Sequence, residues 1–503
     1  MQRLVLNYLN ETVNKCPDKI AYSDGTTSMT FMDVYLHSRS IGSYLAGRGI
    51  RRRPIVVFMD KSPEEVTTFL GIVTGGNFYV PIDQEMPLSR IQLILNNVKS
   101  PLIICDSDNY AAAQEFKDLA GDIVLYSDIA DTPIDDEALD QIYRTTLDID
   151  PIYIVFTSGS TGVPKGVAAC HRSVVDYIEQ LSEILDLNEN SVFGNQSPLF
   201  FDACLKEIYP TLKFGATDYL IPKKLFSTPL LLVEYLNEHK INTICWVVSA
   251  LTMISAFGTF EELKPEYLHT IAFGSEVFPI KQFKKWRKAL PDAVFTNLYG
   301  PTEGTGMCCY YRVDRDFEDG DVIPIGRPFP NREILLLTDE NKAASKGETG
   351  EICIRGNSVT LGYYNDPERT AAAFVQNPLN SSYPEIIYRT GDLGYLNDEG
   401  NLIFVSRKDD QIKHMGHRIE LGEIEANADS LEGVKMSACI YDSVKKRICL
   451  YYVGDIDENT LLGILKEKLP RYMCPERLTR VESLPQTPNG KIDRNTLRKN
   501  LLK

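Results

Sequence analysis

Short apolar runs, separated by polar, glycine- or proline-marked breaks, recur along this chain. Leu4, Val5, Tyr8 and Leu9 share one helical face, which Pro17 closes. Arg53-Pro54 leads into Ile55-Val56-Val57-Phe58-Met59, apolar at every position, and this predicts a strand buried on both faces. Glu64 to Val73 reads as a helix and Phe78-Tyr79-Val80 as extended. Pro101 to Cys105 and Ile123 to Tyr126 are two more buried strands, whereas the acidic stretch Asp131 to Asp140 predicts an exposed connection. Ile152 to Phe156 reads as a buried strand with Val167-Ala168-Ala169 as its return, and Thr270 to Phe273 and Ala293 to Leu298 continue the alternation. Ile241 to Phe260 carries no charge but holds Asn242, Thr243, Ser249, Thr252 and Ser255. A buried strand followed by a helix fits it better than a membrane span.

From Ile323 to Tyr364 the pattern shifts to short strands with Gly and Asn turns, a small β-rich subdomain. Glycines and charge near Ser406 to Gln411 mark a domain boundary. Beyond it, Ile419 to Leu431 and Leu461 to Leu469 read as helices, and Cys439-Ile440-Tyr441 and Cys449 to Val453 as strands. The expected fold class is therefore α/β. Layered α/β subdomains plus the β-rich subdomain fill residues 1–408, and a small α+β C-terminal domain fills 409–503.

Composition narrows this. A chain of 503 residues exceeds one compact core, and 43% hydrophobic with 24% charged residues is the balance of a soluble globular protein. The formal charge of −16 argues against nucleic acid, whose phosphates need clustered Lys and Arg. Eleven cysteines without a Cys-x-x-Cys pair suggest reduced thiols, and no signal-peptide core opens the chain, so a cytoplasmic location is expected.

The densest chemistry lies in Phe156-Thr157-Ser158-Gly159-Ser160-Thr161-Gly162-Val163-Pro164-Lys165-Gly166-Val167. Four hydroxyls, three glycines and a lysine between apolar runs suit a loop that turns N–H groups and a point charge onto a polyphosphate. The spacing is neither that of a Walker A loop nor Gly-x-Gly-x-x-Gly. Five further motifs follow in order: Tyr299-Gly300-Pro301-Thr302-Glu303, Tyr388 to Asp392, Arg407 to Lys413, Gly416 to Glu425 and Asn489 to Arg494. Together the six resemble the adenylate-forming enzymes, specifically amino-acid adenylation domains of nonribosomal peptide synthetases and D-alanine–carrier-protein ligases. The resemblance runs from Met29-Thr30-Phe31 through Tyr79-Val80-Pro81-Ile82-Asp83 to the last motif.

The resemblance implies ATP-dependent activation of an amino acid as aminoacyl-AMP with release of pyrophosphate. Transfer to the phosphopantetheine thiol of a carrier protein follows. Thr157, Ser158, Gly159, Ser160, Thr161 and Lys165 would hold the phosphates, with Gly274, Ser275, Glu276, Asn297, Tyr299, Gly300, Thr302, Asp392 and Arg407 around the nucleotide. Tyr299 would stack on adenine and Asp392 would accept the ribose hydroxyls. Taken alone, Asp392 could equally cap a turn at Gly394-Tyr395. Glu303 would bind Mg²⁺, which prefers carboxylate, phosphate and water oxygens. Thr157, Glu303 and above all Lys491 would be catalytic, the lysine bridging substrate carboxylate and α-phosphate. Asp409 matches the hinge about which related enzymes swivel their mobile small domain, and Gly416 would lie near the pantetheine tunnel. The chain stops about a dozen residues after Lys491. The expectation is therefore a free-standing monomer that meets its carrier in trans, with no membrane partner.

Phe201 to Tyr209 resembles the helix that opens the family's acid pocket. Asp202 is a candidate N-cap there and matches the position that receives an α-ammonium. The pocket wall would include Ala203, Lys206, Val247, Ile271, Phe273, Leu298, Gly306 and Met307. Lys206 stands four residues after Asp202, so an internal ion pair is the plain reading. Recognition of an acidic side chain such as glutamate is the sharper one, and a small apolar amino acid, D-alanine included, stays open. The chain departs from common family wording at Ser406, His414-Met415 and Gly304. The competing classes are an acyl- or aryl-CoA ligase, against which Asp202 argues, and a catalytically idle nucleotide-binding scaffold.

Overall fold

Pro54–Phe58 is buried at every position, as its unbroken apolar run predicts. The computed structural model describes residues 2–159, 163–485 and 492–501. In it the chain divides into two units. One comprises Met1–Gln84, Val98–Val155 and Val167–Ser406; the other comprises Glu85–Asn97, Phe156–Gly166 and Arg407–Lys503.

The first unit is built on two large sheets. The six-stranded one runs Ile123–Leu125, Ile103–Cys105, Pro54–Phe58, Phe78–Pro81, Pro151–Thr157 and Lys165–Cys170. The nine-stranded one runs Arg327–Pro328, Cys309–Arg312, Val294–Tyr299, Thr270–Gly274, Thr243–Val247, Val192–Asn195, Thr217–Leu220, Ile20–Ser23 and Ser28–Thr30. Its strands are parallel from Val294–Tyr299 to Ile20–Ser23 and antiparallel at both margins. Crossovers between parallel strands need helices, and these fill the layers. Helices Pro63–Thr74, His171–Ile184 and Leu205–Phe214 contribute Phe69, Ile178 and Ile208 in turn to one core. That core is shared with Ile55 and Val57 of one sheet and with Phe193, Cys245, Ala272 and Leu298 of the other.

Side chains alternate across a strand, so neighbours on Thr270–Gly274 enter different cores. Ala272 joins the core just described, whereas Ile271 and Phe273 join Trp246, Phe283 and Trp286 in a second. A five-stranded antiparallel sheet supplies the β-rich part. It runs Arg332–Leu337, Gly350–Gly356, Ile386–Leu396 and Phe374–Gln376, with Leu402–Arg407 paired to Ile386–Leu396.

The second unit carries the hairpin Gln411–His414/His417–Glu420 and a three-stranded sheet of Val434–Asp442, Arg447–Gly454 and Arg477–Arg480. Helices Leu421–Asp429 and Glu458–Lys468 bury Ile424, Ala428, Leu461 and Leu465 in its core with Cys439 and Leu450.

Two expectations change. The acidic stretch read as a connection contains the helix Asp136–Thr145, because Leu139 and Ile142 share a buried face and Asp135 caps Ala138 N–H. The helix expected from Ile419 begins at Leu421, because Ile419 pairs with Ile412 across the hairpin. Ile241 to Phe260 resolves into strand Thr243–Val247 and helix Val248–Ala256. No helix among the described residues is long and apolar enough to cross a membrane. All eleven cysteines are free, and nine are buried.

Candidate active site

Thr270–Gly274 and Val294–Tyr299 pair in parallel with Gly274 opposite Leu298, so both strands end at one margin of their sheet. Loops at the carboxyl ends of parallel strands are where such sheets place ligands. Gly274-Ser275-Glu276 follows the first strand and Gly300 to Met307 the second. The second loop is tight. A Cβ on Gly300 would lie 2.3 Å from the Gly306 carbonyl oxygen, and one on Gly306, whose φ is 73°, would meet the Tyr177 ring at 2.7 Å. These positions admit only glycine without movement.

This loop delivers Glu303, fully buried in the 3₁₀ turn Thr302–Gly304. The Tyr363 hydroxyl donates to its Oε1 at 2.8 Å, and Thr360 N–H donates to its backbone carbonyl at 3.0 Å. A carboxylate oriented by a hydroxyl fits the outer-shell support that metal-binding carboxylates use, so Glu303 suits Mg²⁺. Tyr299 is also buried, and its hydroxyl donates to Asp392 Oδ2. Burial first, and then the Asp392 charge, push the Tyr299 phenol well above its ordinary value, so it remains a donor. Asp392 lies within strand Ile386–Leu396 with its N–H on the Thr390 hydroxyl, 2.9 Å away. The turn-cap alternative is therefore replaced by a strand position. Asn297 donates its amide to the Pro324 carbonyl at 2.8 Å.

Asp202 opens the 3₁₀ turn Asp202–Cys204 ahead of helix Leu205–Phe214. It does not cap: Phe201 and Cys204 hold the two N-cap positions, and neither makes a side-chain cap bond. The carboxylate instead faces the Thr302 hydroxyl and the Gly306 N–H. Burial raises its pKa, opposed by Lys206 and Thr302 and reinforced by Glu303. Asp202, Thr302, Glu303 and Gly306 thus meet in one place. Lys206 is 4% exposed in the first turn of its helix. The expected Asp202–Lys206 ion pair does not form within 4.0 Å, because the 3₁₀ turn replaces the α-helical turn that would have stacked the two.

Leu298 and Met307 share the inter-sheet core with Cys204 and Leu205, while Ile271 and Phe273 lie in the second core with Val247 packed against it. Ala203 is partly buried beside Asp202.

In the second unit, Ser158 donates to the Arg418 carbonyl at 2.8 Å and accepts from Glu420 N–H at 3.2 Å. Gly159 N–H donates to Glu423 Oε2 at 3.2 Å, and Lys165 pairs with Glu420 at 3.4 Å. The loop's donors therefore already hold carboxylates, which is the chemistry of an anion site. Thr157 is buried, and its hydroxyl has no partner among the described residues. Arg407 grips Asp409 with two bonds of 2.6 and 2.8 Å. Burial alone would raise the Asp409 carboxyl, and Arg407, helped by the Gln411 N–H and the Arg418 charge, more than reverses this. Ser160, Thr161 and Lys491 lie outside the described residues.

Sequence reasoning missed several participants. Tyr363 supports Glu303, and Glu420 and Glu423 face the loop. Arg332 lies buried against the rings of Tyr177 and Phe329, bonded to the Met307 carbonyl and paired with Asp176 at 3.4 Å. A further group joins the partly buried Lys61 to the buried Glu65, Glu207 and Asp218. Lys61 donates to the Asn195 carbonyl at 2.9 Å, and burial raises all three carboxyls.

A family described as "AMP-binding enzyme" matches residues 9–364. The chain belongs to this family of adenylate-forming enzymes. Bacitracin synthase 1 of Bacillus licheniformis is 32% identical over 493 residues, 97% of this chain but 9% of that protein. The chain thus spans about a tenth of the length of such relatives. Two solved structures share the fold. The Vibrio cholerae adenylation domain AlmE, in complex with glycyl-adenosine-5'-phosphate, superimposes with a TM-score of 0.85 at 22% identity, covering 100% of this chain and 98% of its own. PA1221, a nonribosomal peptide synthetase protein with adenylation and PCP domains, gives 0.84 at 24% identity, covering 99% and 84%. The chain therefore combines the adenylation-domain fold with membership of the AMP-binding enzyme family.

Proposed function

We propose that this enzyme activates an amino acid with ATP and passes it to a carrier-protein thiol supplied in trans. The observation that carries the reading is the convergence of the Asp202 carboxylate with Thr302, Glu303 and Gly306. A carboxylate facing a hydroxyl and an N–H at this place suits an α-ammonium, which an acyl or aryl acid lacks. The substrate carboxylate oxygen attacks the α-phosphorus of ATP, the bond to the β-phosphate oxygen breaks, and pyrophosphate leaves. Thr157, Ser158, Gly159 and Lys165 bind the leaving phosphates, Asp392 holds the ribose and Lys491 steadies the charge on phosphorus. Mg²⁺ held by Glu303 would neutralise phosphate charge. The thiol then attacks the acyl carbon and AMP departs, with Asp409 as the hinge between the two half-reactions. Free, buried thiols support a cytoplasmic enzyme.

Amino-acid-dependent exchange of labelled pyrophosphate into ATP tests this. Exchange is expected with at least one amino acid and is expected to fall by roughly 10²-fold or more in Asp202→Ala. A protein that exchanges only with amine-free carboxylates and coenzyme A would refute it.

A further inference from the structure

The loop that carries Glu303 is held against its own backbone preference. Thr305, a fully buried β-branched residue, sits at φ 53°, and Gly306 follows at φ 73°. Two successive left-handed residues, the first of them β-branched, persist only where the surroundings impose them. The Thr305 hydroxyl donates to the Ser358 carbonyl at 2.7 Å. Cys308 N–H donates to the Tyr299 carbonyl at 2.7 Å, which closes the loop on its own strand. From the far side, Arg332 donates through Nη1 to the Met307 carbonyl.

The last restraint differs from the others because it uses a buried charge where a neutral donor would satisfy the carbonyl. The Arg332 side chain is fully buried, with Nη2 3.4 Å from Asp176 Oδ2. Its guanidinium carbon lies 5.5 Å from the Tyr177 ring centroid and 5.0 Å from that of Phe329. The other Asp176 oxygen accepts the Asn331 amide at 2.6 Å. A buried ion pair is weak evidence for stability, and its best-attested use is to fix one arrangement over others. What is fixed here can be named. Helix His171–Ile184 presents Asp176 and Tyr177 in succession, and while Asp176 holds Arg332, the Tyr177 ring fills the space a Gly306 Cβ would need, 2.7 Å away. Glu303 has separate supports in Tyr363 and Thr360 N–H. The Glu303 end of the loop and the Gly306-Met307 end are thus held by different groups.

We propose that Arg332 is a positioning residue of the amino-acid site. By pinning the Met307 carbonyl it fixes the turn of Thr305 and Gly306 against which the substrate docks, without touching the substrate itself. This rests on the amino-acid reading above and adds to it the group that shapes the site from behind.

Pyrophosphate exchange with the amino acid that the wild type prefers, repeated for Arg332→Lys and Arg332→Met, tests it. A lysine ammonium is a single point charge and does not reproduce the fork that reaches Met307 and Asp176 together. Arg332→Lys is expected to raise the amino-acid KM several-fold and Arg332→Met by roughly 10-fold or more, with the KM for ATP within about twofold of wild type. Combining Arg332→Met with Asp176→Leu removes both charges, so no carboxylate is left stranded. The melting temperature of that double variant is expected to return towards wild type while the amino-acid KM stays raised, a split that a merely stabilising pair would not give. A KM that recovers together with stability overturns the inference. So does a wild-type amino-acid KM in Arg332→Lys, the variant that keeps charge and length and decides the matter if Arg332→Met does not fold. A wild type that exchanges with no amino acid overturns the amino-acid reading itself, and this inference with it.

Discussion

His171 begins helix His171–Ile184 and is 2% exposed, its Nδ1 accepting the Val5 N–H at 3.3 Å. Burial, and then the nearby Arg3 cation, lower its pKa to about 3. An unfolded histidine titrates near about 6.5. Between those values the unfolded chain takes up a proton that the folded chain refuses, so stability declines as pH falls through the window. From about pH 7 to about pH 5 this residue alone is expected to remove about 2 kcal/mol. Urea denaturation of wild type and His171→Gln at both pH values measures it. The variant should lose less on acidification, and equal losses would contradict the assignment.

At the scale of elements, helix Leu88–Val98 shows how one buried pair holds a segment. Arg90 Nη1 bonds Glu423 Oε1, and both side chains are almost entirely buried. Burial raises the Glu423 carboxyl, opposed chiefly by Arg90. Arg90→Ala strands that carboxylate and is expected to cost about 3–5 kcal/mol in denaturant unfolding. Adding Glu423→Leu should recover much of the loss. A double variant no more stable than the single would count against the pair.

Strands and motifs are the elements the sequence made legible. Ile55 to Met59 is a run only a doubly covered strand tolerates, and Tyr299 to Glu303 signals a loop by its Gly-Pro pair. Contacts across many residues left no local trace. Nothing near Glu303 announces Tyr363, and nothing near Met307 announces Arg332. The 3₁₀ turn at Asp202 also escaped, because an i, i+4 spacing assumes the α-helix that it interrupts.

For the whole molecule, the division is not a single cut. The second unit takes Glu85–Asn97 and Phe156–Gly166 from far upstream of Arg407. A fragment ending at Ser406 would keep both segments without the partners that Arg90, Ser158 and Lys165 find in Glu423, Arg418 and Glu420. Its calorimetric transition is expected several degrees below that of the intact chain, roughly what the loss of a few kcal/mol brings in a protein this large. An unchanged transition would show that those segments need nothing after Ser406.

The sulfur chemistry has a practical corollary. With nine of eleven thiols buried and none bridged, folding doubles as a shield against alkylating reagents. A maleimide dye added during denaturation would therefore register each opening as a jump in labelling, a clock written into the chain without any engineered reporter.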